Sequence, residues 1–402
     1  MKKKIGKVYV VCAMDTEGPI VNKKKPDILQ NWAEVKNLIK KLTSSKFRNE
    51  FKDSANGGLI YSWFILTLTG FKTNPFKRPI KYHEVFDFYK KNFGSSFKKN
   101  KDGIYWHYHQ PAFSGIGNEW SKDWTISQEY FNILSRLVSE RSYFPSCFRA
   151  GGRIEDNDLS NWLEDWIPFD FSNCSGKVNW QNKESDGKKL IDVVDWSKAP
   201  QEWSGYNPSR NDYQKKGSQK RFVFRCPDLN SNVHKIDDDE IKKAFQQAAN
   251  GKDACFSFFE HDRRLITADN IWDVLSRIKK ISLKFPMIKW YYKNANDAAR
   301  LSLNLKVHPK ATFTVRLNPE NRIQIKTNHR IFGRTPFVCY KIFNKVYELP
   351  LNIIGLNKWI TAPIKLNLIK KIKISVATSN PSGLANVQHF KYKTKKFIIY
   401  NK

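Results

Sequence analysis

The sequence predicts an α/β fold over residues 1–303, an α/β layer or barrel with a parallel sheet, followed by an all-β sandwich domain over residues 304–402. Three observations carry that prediction. Short buried apolar runs alternate with amphipathic helical patterns as far as residue 303. After it the texture changes to strict alternation, as in Ala311–Leu317, Arg322–Lys326 and Lys371–Val376, with Asn, Pro and Gly between the segments. The 402 residues suit a catalytic domain of about 250–300 residues plus one accessory domain.

The elements follow in order. Residues 7–14 read as a buried strand. Residues 31–43 read as a helix with Trp32, Val35, Leu38, Ile39 and Leu42 on one stripe. Residues 60–68 give a second buried strand, and 101–110 a strand ending in His107-Tyr108-His109. A helix over 126–141 has Thr125 as its cap, Gln128 three residues on, and a stripe of Ile126, Tyr130, Leu134, Leu137 and Val138. Phe148 opens a strand-to-loop segment, and 156–166 forms a helix. Asp237 to Glu240 begin a helix running to Asn250, where acidic residues suit the helix dipole. Ala254–Phe259 is a short apolar run ending in Glu260-His261-Asp262. Thr267 caps a helix carrying Ile271, Val274, Leu275 and Ile278; 287–292 is a last strand and 294–302 a short helix.

Composition narrows the class. Forty per cent hydrophobic residues, with 28 Phe and 13 Trp, can fill large cores and exclude global disorder. Six scattered cysteines without a CxxC pair argue against a disulfide framework and a thiolate metal site. The run Val8–Ala13 leads straight into Asp15 and Glu17, as a buried strand does and a cleaved leader does not. The longest apolar stretch, 59–71, falls short of the ~20 residues needed to span a bilayer. The chain is therefore read as cytoplasmic. Its net charge of +32 is concentrated: residues 301–402 hold 19 Lys and Arg against Glu320 and Glu348, an excess of 19 minus 2, or 17. A basic surface there implies an anionic partner: acidic lipid headgroups, a phosphorylated glycolipid, nucleic acid or an acidic polysaccharide, with peripheral contact at the inner face of an anionic membrane through 304–402 as one form of it. A Lys-rich composition throughout accounts equally well for the charge.

Four strand ends carry unusual polar residues: Asp15-Thr16-Glu17-Gly18, His107-Tyr108-His109, Phe148-Arg149-Ala150-Gly151-Gly152 and Phe259-Glu260-His261-Asp262. Functional groups of α/β folds gather at the C-terminal ends of strands. Two imidazoles and a carboxylate suit Zn²⁺ or a similar divalent ion with one position left for water. A second carboxylate can take a proton, and a further histidine can give one to a leaving amine. Each member has a plainer reading, Arg149 pairing with Asp156 or Asp158, and His261 in a surface network with Asp262, Arg263 and Arg264. Trp203, Tyr206 and Tyr213 could stack on sugar rings, although packing is the better reading in so aromatic a chain.

The order of these motifs resembles the polysaccharide deacetylase family, the NodB-homology fold, in a divergent branch with Asp15-Thr16-Glu17 and Trp106-His107-Tyr108-His109 motifs. Phe169-Asp170-Phe171-Ser172 also looks like the segment after the arginine motif. The resemblance covers roughly residues 7–300 and implies a distorted (β/α) barrel. It implies a metal-dependent hydrolase that removes an acetyl or formyl group from the nitrogen of a sugar in a surface-polysaccharide or glycolipid precursor. It further implies Asp15 as general base, Arg149 as its orienting partner, His261 as general acid, and Glu17, His107 and His109 as metal ligands, with Zn, Ni, Co or Mn as the ion. The familiar pattern has two adjacent aspartates, where Thr16 here separates Asp15 from Glu17, and histidines four apart rather than two. Histidines two apart on a strand point to the same side, and one histidine plus another ligand is the alternative. A catalytically inactive carbohydrate-binding relative is the competing function. Nucleic-acid binding rests on charge alone, without a zinc-finger spacing or an RNA-recognition motif.

Overall fold

The computed structural model describes residues 4–22, 26–68, 81–110, 129–183, 189–230 and 236–400. The expected cap at Thr125, with Ile126 and Gln128, lies outside them, as does 69–71. The chain forms two compact units. The first contains residues 1–126, 147–160 and 169–305, and the second 127–146, 161–168 and 306–402.

The first unit is a parallel sheet with helices. Its strands are β1 (Lys7–Thr16), β2 (Tyr61–Thr67), β3 (Gly103–Tyr108), β4 (Cys147–Ala150), β5 (Phe169–Asn173), β8 (Phe222–Arg225), β9 (Ala254–His261) and β10 (Lys289–Tyr292); a separate antiparallel hairpin is made by β6 (Lys177–Lys183) and β7 (Lys189–Asp195). The sheet order is β10-β1-β2-β3-β4-β5-β8, with β9 on the other edge of β1. β10 pairs with the first half of β1 and β2 with the second, so both use one edge. A parallel bridge between Asp228 and Phe259 brings the chain after β8 beside β9 and nearly closes a barrel.

Alternation along the strands sets what the barrel interior contains. Tyr9, Val11, Ala13, Phe64, Tyr105, Cys147, Phe169, Phe171, Phe224, Cys255 and Phe259 form one buried cluster. Stepping two residues on from its uppermost members reaches Asp15 on β1, His107 on β3, Arg149 on β4 and His261 on β9. The aromatic layer is thus a floor, and the polar residues form the layer above it at the C-terminal strand ends. Helix 295–302 adds Ala295, Ala298 and Ala299 to the same cluster. Helices 32–43, 84–100, 238–249 and 267–282 bury their apolar stripes, Val35, Ile39 and Leu42 in the first and Ile271, Val274, Leu275 and Ile278 in the last. The Asp237 carboxylate caps its helix through Glu240 N at 2.8 Å. Thr267 does not cap: Ile266 holds that position, and Thr267 Oγ1 instead donates to the His261 carbonyl at 2.6 Å. All six cysteines are free and buried.

In the second unit two antiparallel sheets share one core. β11 (Phe313–Leu317), β12 (Ile323–Thr327), β15 (Asn352–Gly355) and β16 (Lys358–Ile360) make a sheet in the order β11-β12-β16-β15. β13 (Phe337–Ile342), β14 (Lys345–Glu348), β17 (Lys373–Ser379), β18 (Ala385–Lys393) and β19 (Lys396–Ile399) make the other, in the order β14-β13-β17-β18-β19. Phe313, Val315, Ile323, Ile325 and Trp359 from the first meet Val338, Ile374, Val376 and Phe390 from the second. β11 and β12 alternate buried and more exposed residues, as expected of a sheet with one face on the core, whereas β17 is buried on both faces and β15 is exposed throughout. Helix 129–141 belongs to this unit: Phe131 lies against Phe337 at 5.0 Å, and Lys341 pairs with Glu140 at 2.8 Å. No described helix is long and apolar enough to cross a membrane.

Candidate metal and catalytic site

All six residues singled out from the strand ends meet in the layer above the aromatic floor. Parallel pairing sets Asp15 opposite His261 and His107 opposite Arg149. β1 and β9 each run one or two residues further than their apolar runs, since the ladder continues through these polar positions.

Arg149 is fully buried and grips Asp15 with a two-pronged pair, Nε to Oδ1 at 2.7 Å and Nη2 to Oδ2 at 3.0 Å. Its Nη1 donates to the Phe171 carbonyl at 2.5 Å, and its guanidinium lies 3.9 Å from the centre of the Phe259 ring. Planar, bidentate and stacked contacts are what arginine supplies and lysine does not. The partner of Arg149 is therefore Asp15, not Asp156 or Asp158. Burial alone would raise the pKa of Asp15, but Arg149, with His107 and His261 beside it, holds it below the usual carboxylate range.

The histidine pair is built by tautomer and space. His107 Nδ1 faces the Arg149 carbonyl at 3.0 Å, and because a carbonyl only accepts, Nδ1 carries the proton. Its Nε2 lone pair then points into the site. Burial dominates the ring's ionisation and lowers its pKa, which keeps it neutral. His109, just past β3, turns its ring nearly perpendicular to His107 and brings Nε2 to 2.9 Å from His107 Nε2. Room for that ring comes from Gly151, where a Cβ would sit 2.3 Å from His109 Cγ.

Glu17 completes the group. Its Oε1 lies 3.8 Å from His109 Nε2 and 3.4 Å from His261 Nε2, and Arg263 Nε lies 2.9 Å from Oε2. Asp15 Oδ2 is 4.0 Å from His107 Nε2. His261 is buried, not part of a surface network, with Glu260 Oε1 3.9 Å from Nδ1. Burial and Arg264 push its pKa down, yet the contacts with Glu17 and Glu260 prevail and raise it.

The donor set fits a divalent ion. Ligand atoms of Glu17, His107 and His109 all lie within 4.8 Å of one another, so this buried cluster could hold a metal. Two ligands at about 2.0–2.1 Å from an ion stand about 2.9–3.4 Å apart, so the spacing of the two imidazole nitrogens matches. A neutral His107 also needs either a proton or a cation between those nitrogens. A second cluster, Asp228, Glu260 and His261, is equally tight. There, however, Arg264 Nη1 already lies 3.2 Å from Glu260 and 3.8 Å from Asp228, a guanidinium where a cation would sit.

Several partners were not legible as site residues. Asp262, noted only as a neighbour of His261, is fully buried and accepts from Glu17 N at 2.8 Å, Gly18 N at 3.1 Å and the Tyr89 hydroxyl at 2.6 Å. It thereby fixes the turn that carries Glu17. Gly18 is needed in that turn, with φ +73° and the Trp32 ring 2.7 Å from where a Cβ would sit. Asp228 gave no signal and Arg263 was noted only as a neighbour of His261, because the pairs they form join residues far apart in sequence. Trp203, Tyr206 and Tyr213 lie in packing: Trp203 stacks under Arg225 and donates to the Glu240 carbonyl, and the Tyr206 hydroxyl donates to Tyr213 O.

Replacing Asp262 by Ala leaves two amides and a hydroxyl without their acceptor. The expected cost is about 2–4 kcal/mol of stability and about 10–100-fold in metal affinity. Denaturant titration and metal titration measure the two. Unchanged metal affinity would show that the turn holds Glu17 without Asp262.

Comparison with protein-family models gives no match for this chain, and comparison with curated proteins gives none.

Proposed function

We propose that the protein is a metal-dependent amide hydrolase of the polysaccharide deacetylase type, removing an acetyl or formyl group from an amino sugar of a surface-polysaccharide or glycolipid precursor. The observation that carries this reading is the Asp15–Arg149 pair set beside converging histidine nitrogens and Glu17 at the mouth of a parallel barrel. The sugar and acyl group rest on the resemblance of the motif order to that family; the hydrolytic chemistry is supported by the groups themselves.

Glu17, His107 and His109 would hold the ion, with Zn, Ni, Co or Mn compatible with nitrogen and oxygen donors. When bound, such an ion acidifies water and polarises an amide carbonyl. Asp15 stays ionised beside Arg149 and accepts a proton at Oδ2, the oxygen nearer to His107. Arg149 fixes the direction of that carboxylate and keeps it from rotating away. His261, whose contacts with Glu17 and Glu260 favour its protonated form, delivers a proton from Nε2 to the departing amine. Asp262 and Arg263 keep Glu17 in place from behind. The buried walls exclude bulk water and strengthen each charge–charge contact.

The test is release of acetate or formate from N-acylated amino-sugar oligomers and from their lipid-linked forms, with divalent metal added. Release that depends on metal supports the reading. Tight binding of the same sugars without release of acid would favour a carbohydrate-binding protein instead.

A further inference from the structure

The second unit carries a basic end that the hydrolytic chemistry does not use. Register places it. Lys341 on β13 pairs with Lys373 on β17, and Lys373 pairs with Lys391 on β18, so three lysines stand in a row across the five-stranded sheet. The β13–β14 turn beside them puts Lys345 opposite Ile342. The β18–β19 turn at the same end puts Lys393 opposite Lys396, with Lys395 in the bend. Lys370 and Lys371 lead into β17. Only Lys341 among these lysines has a carboxylate partner among the described residues, Glu140 at 2.8 Å. Like charges placed directly across a sheet repel and destabilise it, so the row has a cost that folding does not require.

A second feature sits at the same place. Phe343, at the tip of the β13–β14 turn, is 85 % exposed and has φ +51°. A left-handed backbone suits Gly or Asn in a tight hairpin; for a bulky aromatic it is strained. An aromatic residue held outward in a strained turn gains nothing from the fold.

We propose that this end of the five-stranded sheet is a docking surface for an anionic lipid bilayer, with Phe343 entering the headgroup boundary and the lysines lying over acidic headgroups. The charges fit that partner. Lysines are flexible point charges that follow a diffuse anionic surface, whereas directed phosphate recognition in nucleic acid favours the arginine fork. An apolar tip flanked by cations is the composition of an interfacial anchor. The surface stands apart from the hydrolase reading and does not depend on it.

The experiment is co-sedimentation of the full chain with vesicles of phosphatidylcholine, with and without 30 mol % phosphatidylglycerol (roughly a physiological acidic fraction). Binding is expected only to the acidic vesicles and to weaken with salt. Phe343→Asn should weaken it about tenfold while leaving the unfolding temperature unchanged or higher, since Asn accepts the left-handed turn. Changing Lys345, Lys373, Lys393 and Lys395 together to Gln should weaken it roughly 100-fold or more. Absence of binding to acidic vesicles, or binding that neither variant alters, would overturn the proposal. So would tighter binding to duplex DNA or RNA at the same salt that is lost in the lysine variant while vesicle binding persists.

Discussion

Asp15→Asn is expected to lower metal-dependent amide hydrolysis by about 10²–10⁴-fold, the range that a positioned general base contributes. The substitution keeps the shape of the side chain and removes its basicity. Bound metal should remain, since Glu17, His107 and His109 are untouched. The variant should also lose about 2–3 kcal/mol of stability, because Arg149 is left with a neutral partner in a site that excludes water. Rate is therefore measured on protein shown to be folded, and metal by elemental analysis. Loss of metal together with activity would place Asp15 in the ligand shell, which its 4.0 Å approach to His107 makes a distinct outcome.

Arg149→Met should be the more damaging to the fold. The guanidinium makes two bonds to Asp15 and one to the Phe171 carbonyl, and it stacks on Phe259. Removing it strands a carboxylate in a buried site, for a cost of about 3–5 kcal/mol. Asp15 would then escape by taking up a proton, so activity should fall as well. The double variant Asp15→Asn with Arg149→Met should recover part of the stability and none of the activity, since a neutral pair no longer leaves an unmatched charge. Denaturant curves of the wild type, the two single variants and the double variant give the coupling directly. Additive costs would show that the two residues do not act as a pair.

The sequence carried the class of fold, and the physical reason is plain in particular elements. Helices 32–43 and 267–282 show their apolar stripes because each buries one face only. β1 and β9 are buried on both faces, so their runs announce strands but hide which residues point into the barrel. The layering of Asp15, His107, Arg149 and His261 above the aromatic floor became visible only with the register. The helix at 129–141 shows the same limit: its stripe of Leu134, Leu137 and Val138 reads clearly, yet nothing local reveals that it packs with residues after 306. Thr267 was misread as a cap because a hydroxyl before an apolar stripe looks alike whether it serves the helix or the His261 carbonyl. In the site, the strand-end motifs were legible as unusual polar groups after apolar runs. Their partners were not. Arg149 and Asp15 are 134 residues apart and were joined only through the family resemblance, while Asp262 reaches Glu17 across 245 with no such guide. Long-range pairs of this kind leave no periodicity to read.

Glu17, His107 and His109 are the expected ligands of a metal centre. Elemental analysis of the purified protein, beside a variant with both His107 and His109 changed to Ala, tests it most directly and needs no knowledge of the substrate. Near-stoichiometric Zn, Ni, Co or Mn is expected in the wild type and its loss in the variant, with the aromatic floor and the Asp15–Arg149 pair keeping the variant folded. A wild type that takes up no metal after incubation with these ions, or a variant that retains it, would mean that these three residues are not a metal centre.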